Sequence, residues 1–254
     1  MAFKSIASHL VKFNSAVSCN FLEMYEDAVK MSIEESNSKI PHKTFAPSQF
    51  RCERLNWFRI RGVNPDTRIT DPVLDWTAEI GTACHSIIQE HIVKYHPEMC
   101  VDVKEYILNL YPDANITESG YETQIELENP PFRFACDGLL NIDGHLYLLE
   151  IKTSEFRSFQ DLTDVKPVHL DQIKCYGSLL NIDRVLVLYQ DRQYGNLKCF
   201  EKTITNADKA YVEGKISRVL EAVRTNLAPD RLPKGDPWCS STFCPYYRKC
   251  KEWG

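Results

Sequence analysis

"FACDGLLNIDGHLYLLEIKTS", residues 134–154, reads as two short strands joined by a tight turn, yet it sets Asp137, Glu150 and Lys152 among Leu, Ile and Tyr. Side chains alternate across a strand, so Glu150 and Lys152 leave the same face. The Asp-Gly pair within "IDGH" is a strong short-range hairpin signal. Asp137 precedes Glu150 by 13 positions on the opposite arm, so antiparallel pairing brings both carboxylates to one end of the hairpin. A buried, unpaired carboxylate costs on the order of several kcal/mol, and two together repel unless a hard divalent cation neutralises them. The plainer alternative is a solvated Glu–Lys pair on an exposed face. Against it stand the apolar flanks in "YLLEIKTS" and "ACDGLL", where exposed charges are unexpected.

Working outward, "YETQIELE", "FRFACDGLLNI" and "HLYLLEIKTS" alternate with a period of two and read as a three-stranded antiparallel meander. "VHLDQIKCYGSLLN" reads as a helix over that sheet, "DRVLVLYQD" as a central strand and "LKCFEKTIT" as its neighbour. A helix over about 207–227 and a Cys-containing tail follow. Upstream, residues 1–36 read as mainly helical, and Ser48 is placed to cap a helix ending at Gly62. "VLDWTAEIGTACHSIIQEHIVKYH" carries apolar residues at helical spacing, and "VDVKEYILNLY" forms a further helix after Pro97. Strands, a helix and more strands predict an α/β fold.

The chain has 254 residues, 43% hydrophobic and 26% charged, with a net charge of −5. That balance excludes a protein that coats nucleic acid by overall charge, though not one with a local basic groove. No run approaches the roughly 18 apolar residues of a membrane helix, and "MAFKSIASHLVKFNSAVSCNF" lacks the apolar run of a secretory signal. A cytoplasmic location without membrane contact is expected. Cysteines there stay reduced. Six of the ten (Cys19, Cys84, Cys100, Cys136, Cys175, Cys199) are scattered and read as small hydrophobes.

Two further features join the charged hairpin. "GTACHSIIQEHI" puts His85 four residues after Gly81 on a helix, and "DQIKCYG" puts Gln172 and Tyr176 four apart on one helical face. The order Gly81 to His85, Asp137-Gly138, Glu150-Ile151-Lys152, Gln172 to Tyr176 resembles the PD-(D/E)XK phosphodiesterase superfamily and its RecB-like exonuclease branch. The resemblance spans about residues 80–200. It implies a restriction-endonuclease-like mixed sheet flanked by helices, and metal-dependent hydrolysis of DNA phosphodiesters. Asp137, Glu150, the main-chain carbonyl of Ile151 and His85 would hold Mg²⁺ or Mn²⁺, with imidazole favouring manganese. Lys152 would orient the attacking water, and Gln172 and Tyr176 would position Lys152 or the DNA.

"WCSSTFCPYYRKC" carries Cys239, Cys244 and Cys250 close together, and three such thiols are usually metal ligands. Cys52 is the leading candidate for a fourth. Zinc and an iron–sulfur cluster both use four thiolates, and incidental thiols are the plain alternative. RecB-like nucleases of the CRISPR-adaptation and AddB types are similar in having one cysteine before the core and three after it, which implies a four-iron four-sulfur cluster. The four residues between Cys239 and Cys244, "SSTF", depart from the two common in those families. Such a staple would join positions nearly 200 residues apart. Basic and aromatic groups flank it (Arg51, Arg54, Trp57, Arg59, Arg61; Tyr246, Tyr247, Arg248, Lys249, Lys251), residue types that contact phosphates and stack on bases.

The expected organisation is a helical region over 1–75 contributing Cys52, a nuclease core over 76–228 and a Cys-rich tail over 229–254. The resemblance implies DNA ends or single strands as partners, with a recombination, repair or CRISPR-adaptation protein beside them, in a bacterial or phage-infected cell. The rival readings are a non-catalytic DNA-binding or assembly module that keeps this fold, and a zinc-stapled structural protein.

Overall fold

The computed structural model describes residues 20–38, 42–66 and 72–253. The amino-terminal helix is described as α1 (Phe21–Ser38); the part of that expectation covering residues 1–19, with Cys19, lies outside the described residues. Ser48 does not cap a long helix. It sits inside a 3₁₀ turn opened by Pro47, and the chain starts again as α2 (Glu53–Ile60) with Cys52 as the cap. The backbone of Cys52 is extended, and its Sγ accepts the Leu55 N–H at 3.4 Å. α3 (Pro72–Tyr95) and α4 (Val103–Leu110) follow near the expected bounds, the latter capped by Asp102.

The strands fall into two sheets rather than one meander. The first holds β1 (Asn115–Ser119), β2 (Glu122–Glu128) and β3 (Pro131–Cys136), all antiparallel. The second, in the order given, holds β4 (Gly138–Ile142), β5 (His145–Ser154), β6 (Arg184–Asp191) and β7 (Leu197–Thr203). The run "FRFACDGLLNI" therefore breaks at Asp137: β3 pairs with β2 up to Cys136, and β4 pairs with β5 from Gly138. Asp143 and Gly144 both take positive φ, 52° and 79°, the backbone that a two-residue Asp-Gly hairpin turn demands.

β5 pairs antiparallel with β4 and parallel with β6, so the second sheet is mixed. A parallel partner needs a crossover, supplied here by α5 (Phe156–Gln160) and α6 (Pro167–Leu179). β5 is covered on both faces. Leu149 and Ile151 pack with Ile88 of α3 and with Leu140, while Leu148 joins Ile173 of α6, Val185 and Val187 in the main core. That double burial explains the nearly unbroken apolar run before Glu150. α7 (Asn206–Thr225) starts with a capping box of Thr205 and Asp208, and α8 (Tyr247–Glu252) closes the described chain. The architecture is mixed α/β, two sheets flanked by helices.

Candidate active site

The break at Asp137 places its carboxylate between the sheets, at the end of β4. Oδ2 accepts the Ile151 N–H at 2.7 Å, and Oδ1 lies 3.2 Å from His85 Nδ1. The register pairs Gly138 with Leu149, so Asp137 and Glu150 come next to each other as the hairpin predicts. β4 pairing ends there, and a strand residue sends its N–H and C=O to the same side. The Ile151 carbonyl therefore faces the Asp137 side, beyond the β4 ladder.

Glu150 is 3% exposed, on the α6 face of β5. Lys152 Nζ contacts its Oε1 at 2.5 Å and donates to Gln172 Oε1 at 3.0 Å, while Gln172 Nε2 donates to the same Glu150 oxygen at 2.8 Å. The three groups close a triangle in which amine and carboxylate are both fixed. Burial pushes the Glu150 carboxyl up to about 7 against the pull of the Lys152 ammonium, and the charge of Asp137 adds to the rise. Tyr176, one turn beyond Gln172, donates its hydroxyl to the Ala135 carbonyl at 2.8 Å and so ties α6 to β3, two residues before Asp137. Burial, then the two carboxylates, raise its pKa well above the tyrosine norm, which keeps the proton for that bond.

The structure thus brings His85, Asp137, Glu150, Ile151, Lys152, Gln172 and Tyr176 together. The sequence reading missed Gln89, which is 5% exposed and donates to the main-chain oxygen of Asp137 at 2.8 Å. Its signal was the spacing of four from His85, on the same helical face. It also missed His169, whose Nδ1 lies 2.6 Å from the Tyr189 hydroxyl. Burial, then Lys152 and Lys166, hold the His169 imidazole down at about 3, so it stays neutral beside the amine.

The donor set, two carboxylates, one carbonyl and one imidazole on rigid elements, has the chemistry of a site for a divalent ion. Among the described residues no three His, Cys, Asp or Glu side chains, neither here nor among the cysteines of the tail, are gathered as tightly as a metal ion requires.

Cys52, Cys239, Cys244 and Cys250 line one cavity of about 290 Å³, with Trp238, Phe243, Tyr247 and Val168 of α6 among its walls. Burial pushes the Cys244 thiol up to about 11 and raises that of Cys52, and the neighbouring thiols add to both shifts. Several of the basic and aromatic groups expected to meet DNA here are used internally. Arg51 pairs with Asp236, Arg54 donates to the Pro229 carbonyl, Arg59 bonds the Thr44 carbonyl and Gln49, and Trp57 is fully buried. Arg61 stacks on Trp57 and Trp253, Tyr246 stacks on Phe58, and Lys249 Nζ bonds the carbonyls of Asn64 and Pro65. These side chains join the tail to the segment around α2.

No family model matches the chain, and no curated protein matches it. Among solved structures, the protein SSO0001 is similar at 15% identity and a TM-score of 0.49, over 87% of this chain and 93% of that one. An alkaline exonuclease from Laribacter hongkongensis, LHK-Exo, is similar at 14% identity and 0.46, over 76% and 94%. LHK-Exo in complex with dAMP is similar at 16% identity and 0.44, over 73% and 90%. None of the described helices is long and apolar enough to cross a membrane.

Proposed function

We propose that this chain is a divalent-metal-dependent DNA nuclease, an exonuclease that processes or degrades DNA ends in recombination, repair or DNA breakdown. One observation carries the reading: a buried Glu150 carboxylate locked against Lys152 and Gln172 on β5, beside Asp137 at the start of β4, which His85 of α3 meets at 3.2 Å. A scaffold gains nothing from burying that charge, since breaking or keeping such a pair costs desolvation that apolar residues avoid.

Asp137, Glu150, the Ile151 carbonyl and His85 would hold Mg²⁺ or Mn²⁺. A bound ion of this kind lowers the pKa of water and neutralises a phosphoryl oxygen. Lys152 orients the attacking water and offsets negative charge at phosphorus. Gln172 keeps Lys152 and Glu150 in fixed relation, and Tyr176 anchors the helix that carries Gln172. At the cysteine-lined cavity, Cys52, Cys239, Cys244 and Cys250 would hold a four-iron four-sulfur cluster. Support comes from the four cysteines lining one cavity, where the neighbouring thiols add to the raised pKa of Cys52 and Cys244. A helical region to residue 75, a core to residue 228 and a tail that packs back on the first region remain the organisation we propose.

End-labelled linear and closed circular DNA, incubated with the purified protein and Mn²⁺ or Mg²⁺, test the activity. The native chain should degrade the linear form only, and chelation should stop it. Glu150→Gln and Lys152→Ala should each slow degradation by about a hundredfold or more. Equal digestion by all three proteins would remove the assigned site.

A further inference from the structure

Past Lys152 the same face of β5 continues to Ser154, about 6.6 Å further along the strand. Ser154 Oγ accepts Lys166 Nζ at 3.1 Å, and the Ser154 carbonyl accepts the Arg192 N–H at 3.0 Å. Burial, then the charge of Arg192, hold the Lys166 ammonium below its usual range, while Glu155 is the acidic group acting against this. Among the described residues the Arg192 guanidinium has no ion pair. Both cations are half-buried and gather on Ser154, one through its ammonium and one through its backbone N–H, and a bound anion would offset the charge they share.

The turn that follows is pinned. Asp191, 1% exposed, accepts the N–H groups of Gln193 at 2.9 Å, Tyr194 at 2.7 Å and Asn196 at 2.8 Å, and Asn196 Nδ2 at 2.7 Å. Yet the turn presents Tyr194 with 64% of its surface in water. Among the described residues its ring meets the edge of Phe156 with centroids 4.8 Å apart, and its hydroxyl accepts Gln193 Nε2 at 2.9 Å. A rigid turn that exposes a large ring contributes little to the core. β5 and β6 are parallel, and these groups stand at the carboxyl ends of both, the place where open α/β sheets receive ligands.

We infer that Tyr194, Lys166 and Arg192 form a platform for an unpaired DNA strand, with one base stacked on Tyr194 and its backbone phosphates held by Lys166 and Arg192. The platform deepens the nuclease reading, on which it rests, by naming single-stranded DNA as the form delivered to Lys152. A paired base cannot offer its face to the ring, whereas any unpaired base can.

The test measures binding without cleavage. Full-length protein in EDTA is titrated into a fluorescein-labelled single strand and into the duplex of the same sequence, read by anisotropy. Tyr194→Ala should weaken single-strand binding about tenfold and duplex binding less than about twofold, with Tyr194→Phe close to native. Arg192→Ala should weaken both and reduce the salt dependence by about one counterion. The inference is overturned if native protein does not bind the single strand, if Tyr194→Ala stays within about twofold of native, or if it weakens both forms equally. Tyr194-dependent binding by a protein that cuts no DNA would sink the nuclease reading and leave the platform. Glu150-dependent cutting with Tyr194-independent binding would sink the platform alone.

Discussion

At the scale of single residues, burying Glu150 leaves a measurable cost. Its carboxyl sits near 7 when folded, against an ordinary value of 4.5, because burial disfavours the charge. Folding therefore favours the protonated form. The stability it contributes is complete below about pH 4.5 and is lost as the pH rises through 7. Glu150→Gln keeps the shape and removes the charge. In urea unfolding with EDTA present, the variant should gain about 1–3 kcal/mol over native at pH 8 and little at pH 5. An equal difference at both values would mean that Glu150 is not desolvated. The residues of this site were legible in the sequence because charges in an apolar strand are conspicuous. Gln89 was not, since an amide on a helix of mixed polarity looks like any solvated side chain until its bond to the Asp137 carbonyl is seen.

At the scale of elements, the site depends on how closely α6 lies against the rest. Gly177 shows this: a Cβ there would stand 2.6 Å from Ile204 Cγ1 and 2.8 Å from the Ile182 carbonyl oxygen. The carbonyl is backbone and cannot swing aside. Gly177→Ala should therefore lower stability by about 1–3 kcal/mol, seen as a lower urea midpoint, and an unchanged midpoint would show that α6 has room to move. The helix, the central strand and the Asp-Gly hairpin followed from periodicity and turn chemistry. The two-sheet division did not, because alternation runs straight through "FRFACDGLLNI" and pairing partners are a tertiary property. β1 was missed for a related reason. "NITES" is a polar edge strand with a single apolar residue. Cys52 replaced Ser48 as a helix cap because Pro47 opens a separate turn.

Across the whole molecule, the tail closes on the segment around α2. Arg51 meets Asp236, Asp66 accepts the N–H groups of Arg248 and Lys249, the Tyr246 hydroxyl reaches the Val63 carbonyl, and Trp253 packs edge-on against Trp57. The cysteine spacing made this closure legible, while the internal use of the arginines was not, since a guanidinium that bonds a carbonyl and one that meets phosphate look alike in sequence. Protein purified without oxygen should be brown and lose that colour in Cys244→Ala, whose thermal midpoint should fall by about 5 °C or more. A colourless native protein containing zinc would replace the cluster with a single ion. The central claim is that Asp137 and Glu150 share a divalent ion, and Mn²⁺ titration of the stripped protein followed by electron paramagnetic resonance tests it most directly. Native protein should bind Mn²⁺, and Asp137→Asn and Glu150→Gln should each bind at least about tenfold more weakly; three identical titration curves would contradict the account.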